Sequence, residues 1–168
     1  MTITMSKAAL RPLTRQLGVL SKLLEKGAAH AAANGIDEAD LLGSRLAPDM
    51  APLSRQVQIA SDSAKGGVAR LAGQEPPSFA DDEVTIADLQ ARIAKTLDYI
   101  ASVPASEIDG SEERAITLKA GPREFQFIGQ DFLLNFVLPN FYFHVTTAYA
   151  LLRHRGVEIG KMDYLGGV

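Results

Sequence analysis

The chain contains no cysteine and no tryptophan among its 168 residues. Without cysteine it can form no disulfide, thiolate metal site or cysteine nucleophile, and this composition fits a reducing compartment. It also lacks a run of lysine and arginine, and its net charge is −3, so we predict no nucleic-acid partner. No apolar stretch reaches the roughly 20 residues of a transmembrane helix, and the N-terminus lacks a signal-peptide pattern. We therefore predict no membrane association and a cytoplasmic location.

Length and composition bound the fold class. A chain of 168 residues with 46% hydrophobic and 22% charged residues is typical of a globular protein. It is long enough to bury a sizeable core but too short to require a second one. We therefore predict one domain over residues 1–168.

Apolar residues at helical spacing predict four long helices. The first spans about Ala8 to Asn34, with Pro12 in its first turn, where a proline is tolerated. The second follows Pro52. The third begins near Thr85, which caps it together with Asp88 three residues later.

Residues 115–128 break the helical period, because apolar and polar positions alternate on both sides of a Gly121-Pro122 pair. Two alternating runs around such a pair predict a β-hairpin whose apolar face packs on the helices. The fourth helix spans about Gln130 to Arg155 and is kinked near Pro139, since proline has no N–H to donate. The predicted fold is an all-α, up-down four-helix bundle with a small β-hairpin before the last long helix.

The fourth helix also holds the strongest candidate site. Eight of the eleven aromatic residues lie between Phe125 and Tyr149, which indicates a helix that faces a core. Within it, Asn140, His144 and Thr147 share one face at helical spacing. The second helix offers polar side chains as candidate partners, namely Arg55, Gln58 and Asp62. This cluster is either a hydrogen-bonded network inside the bundle or a ligand pocket between the helices.

Four segments carry a family resemblance: Arg45–Met50, Arg55–Asp62, Asn140–His144 and Leu151–Gly156. With the order of the helices, they resemble an uncharacterised bacterial family within the DinB/YfiT-like superfamily of four-helix bundles. The resemblance covers nearly the whole chain. It implies a DinB-like bundle that is often dimeric, so we expect a homodimer.

The resemblance also implies where a metal site would lie. Typical members of the superfamily share three histidine ligands, one from the second helix and two from the fourth in a His-x-x-x-His pattern. The last of these positions matches His144, the one before it matches Asn140, and the second-helix position matches Ile59 or a neighbour within one turn. Asparagine is a poor ligand for zinc or nickel and isoleucine is none. We therefore expect a degenerate site with no metal and no cofactor.

Three functional hypotheses follow. The first is a metal-free bundle that binds a small molecule near Asn140 and His144 or serves a structural or stress-related role. The second is a metal-dependent hydrolase or transferase with a rearranged site around His144 and carboxylates such as Asp62. The third is metal-free acid–base catalysis by His144 with help from Asp62. The sequence does not assign a catalytic residue or decide between enzyme and binding protein.

Overall fold

Four long helices build the fold in the computed structural model, which describes residues 3–167. They are α1 (Met5–Asn34), α3 (Leu53–Leu71), α4 (Ile86–Ser102) and α7 (Leu138–His154). Four shorter helices join or follow them: α2 (Glu38–Leu42), α5 (Ala105–Ile108), α6 (Gly129–Asp131) and α8 (Lys161–Tyr164). Residues 1, 2 and 168 of the predicted domain lie outside the described part of the chain. The helical bundle with a hairpin before the last long helix confirms the predicted fold class.

The start of α1 differs from the prediction. The helix begins at Met5 rather than near Ala8, and Pro12 lies inside it rather than in its first turn. The side chain of Thr4 accepts a hydrogen bond from the Lys7 N–H, and the Asp109 carboxylate accepts one from the Ser6 N–H. These acceptors satisfy N–H groups that have no partner within the helix, so the helix extends N-terminal to the proline.

The two middle helices begin where the sequence predicts. Helix α3 follows Pro52, and α4 begins after Thr85 in a capping box with Asp88. In that box the Thr85 side chain accepts from the Asp88 N–H while the Asp88 carboxylate accepts from the Thr85 N–H. The reciprocal bonds fix the first turn of α4.

The predicted β-hairpin is confirmed. Strands β1 (Ala115–Ala120) and β2 (Arg123–Ile128) pair antiparallel, and Gly121 takes a left-handed φ of 59° in the turn. Ile116 is buried opposite Phe127, whose ring lies 5.6 Å from the rings of both Phe132 and Phe136. The apolar face of the hairpin therefore packs on the beginning of the last helical segment.

That segment is not one kinked α-helix. Between α6 and α7 the residues Phe132–Val137 form a π-helical segment, in which the Leu138 N–H bonds to the Leu133 carbonyl five residues earlier. Pro139 has no N–H to continue a regular i→i−4 ladder, and a wider π turn accommodates the gap. C-terminal to α7, Lys161–Tyr164 forms α8, which packs against α1.

Helix α3 lies at the centre of the bundle and packs against α7, α4 and α1. Small residues allow this close approach: a Cβ added to Gly67 would lie 2.6 Å from Val137 Cγ1. The apolar seams meet in a core of fully buried leucines, isoleucines and phenylalanines, among them Leu13, Leu17, Leu20, Leu53, Leu89, Ile93, Phe132 and Phe141. Within residues 3–167, none of the helices combines the length and the apolarity that crossing a bilayer would require.

Candidate ligand-binding site

The candidate site lies where the polar face of α7 meets α3. Asn140 and His144 are half-buried there, and Thr147 is 7% exposed. Thr147 Oγ1 donates to the carbonyl of Phe143 in its own helix at 2.7 Å, so its proton is already used. Asn140 and His144 instead reach across to α3.

His144 forms a hydrogen bond with Gln56 of α3, with 2.7 Å between His144 Nδ1 and Gln56 Oε1. The Gln56 amide nitrogen donates to the Ala51 carbonyl at 2.9 Å, and a carbonyl can only accept. This second bond directs the Gln56 oxygen toward the imidazole, so Nδ1 of His144 carries the proton and donates it. In the neutral ring Nε2 is then the unprotonated nitrogen, and it has no hydrogen-bond partner within residues 3–167.

Burial lowers the pKa of His144, and the positive charge of Arg55 lowers it further. Both effects disfavour the imidazolium, because the ring is partly removed from water and lies near a cation. The unperturbed pKa is about 6.5. His144 is therefore neutral at pH 7, with an open acceptor at Nε2.

Asn140 has a different partner on the same face of α3. Its amide nitrogen donates to Ser63 Oγ at 2.7 Å. Gln56 and Ser63 are seven residues apart, two helical turns, and Ile59 lies between them on that face. The side chains at the seam are thus one imidazole, two amides, a hydroxyl and an alkyl group.

This donor set is a poor one for the metal that DinB-like proteins imply. Zinc and related ions prefer several imidazole, thiolate or carboxylate ligands, and the seam offers one imidazole with neutral oxygens. Across residues 3–167, no group of three or more histidine, aspartate or glutamate side chains is placed to hold a metal ion.

The α3 residues predicted as partners form no hydrogen bond with His144 or Asn140, which bond to Gln56 and Ser63 instead. Gln58 accepts from Arg55 at 3.0 Å and donates to Glu83 at 2.8 Å, on the side of α3 that faces α4. The reason is rotational, since Gln58 lies about 200° around the helix from Gln56. Asp62 likewise faces α4. Of the three predicted partners, only Arg55 acts on His144, through its charge.

The side of α3 facing α4 holds an ionic cluster centred on Arg92, which the sequence analysis missed. Its guanidinium, 1% exposed, lies 2.7 Å from both Asp62 and Glu83 and 3.0 Å from Asp81. Asp62 also pairs with Lys65 at 2.7 Å. The only sequence signal for this cluster was an arginine within the apolar stripe of α4.

The cluster determines which carboxylates stay charged. Burial disfavours the charged form of Glu83, but hydrogen bonds from Arg92 and Gln58 outweigh it and hold the pKa below its usual value. The pKa of Asp81 is lowered in the same way, where bonds from Arg55 outweigh burial. Glu83 and Asp81 therefore stay ionised within the cluster and are not available as proton donors near neutral pH.

The helical bundle with a hairpin before its last long helix is a DinB-like fold. A crystal structure of a DinB family member protein from Shewanella denitrificans matches it with a TM-score of 0.89 and 39% sequence identity, covering 97% of this chain and 92% of that chain. The chain belongs to the family described as Domain of unknown function (DUF1993), which matches residues 5–165. No functionally curated protein matches the chain.

Proposed function

We propose that this protein binds a small molecule at the seam between α3 and α7 and uses no metal to do so. One observation carries the proposal: His144 is neutral, its Nδ1–H is held by Gln56, and its Nε2 has no partner among residues 3–167. A fixed acceptor beside a half-buried amide is suited to a ligand that carries a hydrogen-bond donor. Phe143 packs edge-on to the imidazole, with 5.2 Å between the ring centroids, and supplies an apolar wall.

The alternative hydrolase or transferase hypothesis lacks support in the geometry. It needs carboxylates, such as that of Asp62, beside His144. The Asp62 carboxylate instead pairs with Arg92 and Lys65, each at 2.7 Å. The same pairing removes Asp62 as an assistant to His144 in acid–base catalysis.

The proposal also includes a homodimer. Large apolar side chains of the last helical segment are exposed in the single chain, notably Leu134 at 48% and Phe143 at 57%. A second copy that covers them would remove this apolar surface from water. Light scattering coupled to size exclusion tests this part: we expect twice the monomer mass, reduced to the monomer mass in a Phe143→Glu variant. A monomeric wild-type protein at micromolar concentration would remove the dimer from the proposal.

The ligand site is tested with a fragment library of phenols and primary amides, followed through the imidazole ¹H–¹³C signals of His144. We expect some fragments to shift these signals saturably and to lose binding in His144→Ala. The matched control is His154→Ala, because His154 is exposed in the last turn of α7. A library that leaves the His144 signals unchanged contradicts the site.

The absence of a metal is tested separately by elemental analysis of protein purified without chelator. We expect sub-stoichiometric zinc and nickel in the wild type, with no difference in His144→Ala. One equivalent of metal per chain that disappears in His144→Ala but persists in His154→Ala contradicts the proposal and supports the metal-dependent alternative.

A further inference from the structure

A second polar cleft lies at the opposite end of α3 from Gln56, between the C-terminal turn of α3 and the β-hairpin. It has a volume of about 670 Å³, within the range of small-molecule sites. Its lining includes both signs of charge, with Arg70, Arg114 and Lys119 against Glu75 and Glu124. The site proposed above does not use any of these residues.

Arg70 and Arg114 are half-buried in this cleft without carboxylate partners. Arg70 donates from Nη1 to the Gly66 carbonyl at 3.0 Å, and Arg114 donates from Nη1 to the Leu71 carbonyl at 2.6 Å. Within residues 3–167, neither guanidinium has a carboxylate oxygen within 4.0 Å. A guanidinium has five N–H donors, so each retains donors for a further acceptor.

Two glycines leave room for these guanidinium groups to lie against the backbone. A Cβ added to Gly66 would lie 2.8 Å from Arg70 Nη1, and one added to Gly73 would lie 2.9 Å from Arg114 Nη1. Each guanidinium thus fills the space that a side chain would take. The hydrogen bonds to the Gly66 and Leu71 carbonyls restrict the two guanidinium groups, and a restricted group loses less conformational freedom when it binds a ligand.

The charge balance of the cleft favours an anion, because three cationic side chains and two carboxylates give its lining a net positive charge. Burial lowers the pKa of Arg70, and the charge of Glu75 offsets this only in part. Burial therefore destabilises the cation at this position more than its acidic neighbour stabilises it. An added negative group would restore the lost interaction, and guanidinium donors match phosphate oxygens in charge and geometry.

We propose that this cleft binds the phosphate group of a small molecule through Arg70 and Arg114, with Lys119 at its rim. The ligand is anionic and bonds to the guanidinium donors that the α3 carbonyls leave unused. The α3 carbonyls position the two arginines, and the hairpin closes the opposite side.

The test titrates the full chain with inorganic phosphate at constant ionic strength, with sodium chloride as the reference. Binding is followed through the Nε–H signals of the arginines and the amide signal of Gly73 in ¹⁵N NMR. We expect saturable shifts with phosphate and none with chloride. Arg70→Gln and Arg114→Gln are each expected to weaken binding about tenfold, because each removes a charge-assisted hydrogen bond. The matched control is Arg11→Gln, an exposed arginine of α1 whose loss changes the net charge equally.

A gain-of-binding variant keeps the test decisive if the arginine variants unfold. Glu75→Gln removes the acidic neighbour of Arg70 and is expected to tighten phosphate binding several-fold, whereas exposed Glu25→Gln in α1 leaves it unchanged. The proposal is overturned if Glu75→Gln and Glu25→Gln change the phosphate affinity equally, or if the NMR shifts never saturate with phosphate. Acetate that binds as tightly as phosphate overturns the phosphate assignment. Phenyl phosphate is the last probe, and tighter binding than inorganic phosphate assigns the site to a phosphate ester.

Discussion

Replacing Arg92 with methionine should destabilise the fold more than most single substitutions. The Arg92 side chain is 1% exposed, and it pairs at 2.7 Å with Glu83, which is 8% exposed. Its other carboxylate partners, Asp62 and Asp81, are 36% and 40% exposed, so water screens them. The substitution also removes the bond to the Ala80 carbonyl, which anchors the loop before α4.

Removing one partner of a buried ion pair costs about 3–5 kcal/mol. Because only Glu83 is buried with Arg92, we expect the low end, about 3 kcal/mol. For a protein of this length that lowers the melting temperature by roughly 6–12 °C. Arg11→Met is the control, since an exposed arginine should change stability by less than about 0.5 kcal/mol.

Calorimetry and urea unfolding at several pH values check the reasoning. In the wild type the pKa of Glu83 lies below its unfolded value of about 4.3. Its contribution to stability is therefore present above about pH 4.3 and lost as the pH falls through the folded pKa. In Arg92→Met the isolated carboxylate takes up a proton more readily, so the difference from wild type should shrink between about pH 7 and pH 5. The ion-pair explanation would be refuted if Arg92→Met lost less than about 1 kcal/mol of unfolding free energy, or if its difference from wild type did not change with pH.

Two further predictions concern packing and titration. Gly67→Ala should destabilise the fold by about 1–3 kcal/mol, because the new methyl group meets the buried, β-branched Val137. Gly18→Ala in α1 meets no atom within 4 Å and should stabilise the fold by about 0.5–1 kcal/mol. Chemical denaturation of the two variants should therefore give changes in the free energy of unfolding that have opposite signs. For His144 the folded pKa is lowered, so the folded state should lose stability as the pH falls below about 6.5. His144→Gln should abolish that part of the loss and His154→Gln should not; identical pH profiles of the two variants would contradict a half-buried neutral imidazole.

Local sequence patterns predicted the elements whose determinants lie close together in the chain. The Thr85–Asp88 capping box, the end of α1 at Asn34 and the hairpin around Gly121 all appear as expected, and Gly35 follows α1 with a left-handed φ of 63°. Each depends on side chains and backbone preferences within a few residues, which the sequence shows directly. The start of α1 is the exception, because Asp109, which is distant in the chain, accepts from the Ser6 N–H and helps the helix to extend N-terminal to Pro12.

The partners of the candidate site could not be predicted in this way. Periodicity placed Asn140 and His144 on one face of the last helix, and the structure brings that face to α3. Which face of α3 meets them depends on the rotation of that helix about its axis. Packing against α1, α4 and α7 together sets this rotation, and it brings Gln56 rather than Gln58 to the imidazole.

The sequence by itself determined the helical bundle, the hairpin and the residues of α7 that form the polar face, because helical periodicity and turn chemistry are local properties. Only the tertiary structure decided that His144 presents an unprotonated Nε2, since its tautomer depends on a glutamine from another helix that is itself oriented by a backbone carbonyl. Only the tertiary structure placed Arg92 among three carboxylates while leaving Arg70 and Arg114 without a carboxylate oxygen within 4.0 Å among the described residues. The physical reason is that charge pairing depends on distances between helices, which the order of residues along the chain does not specify.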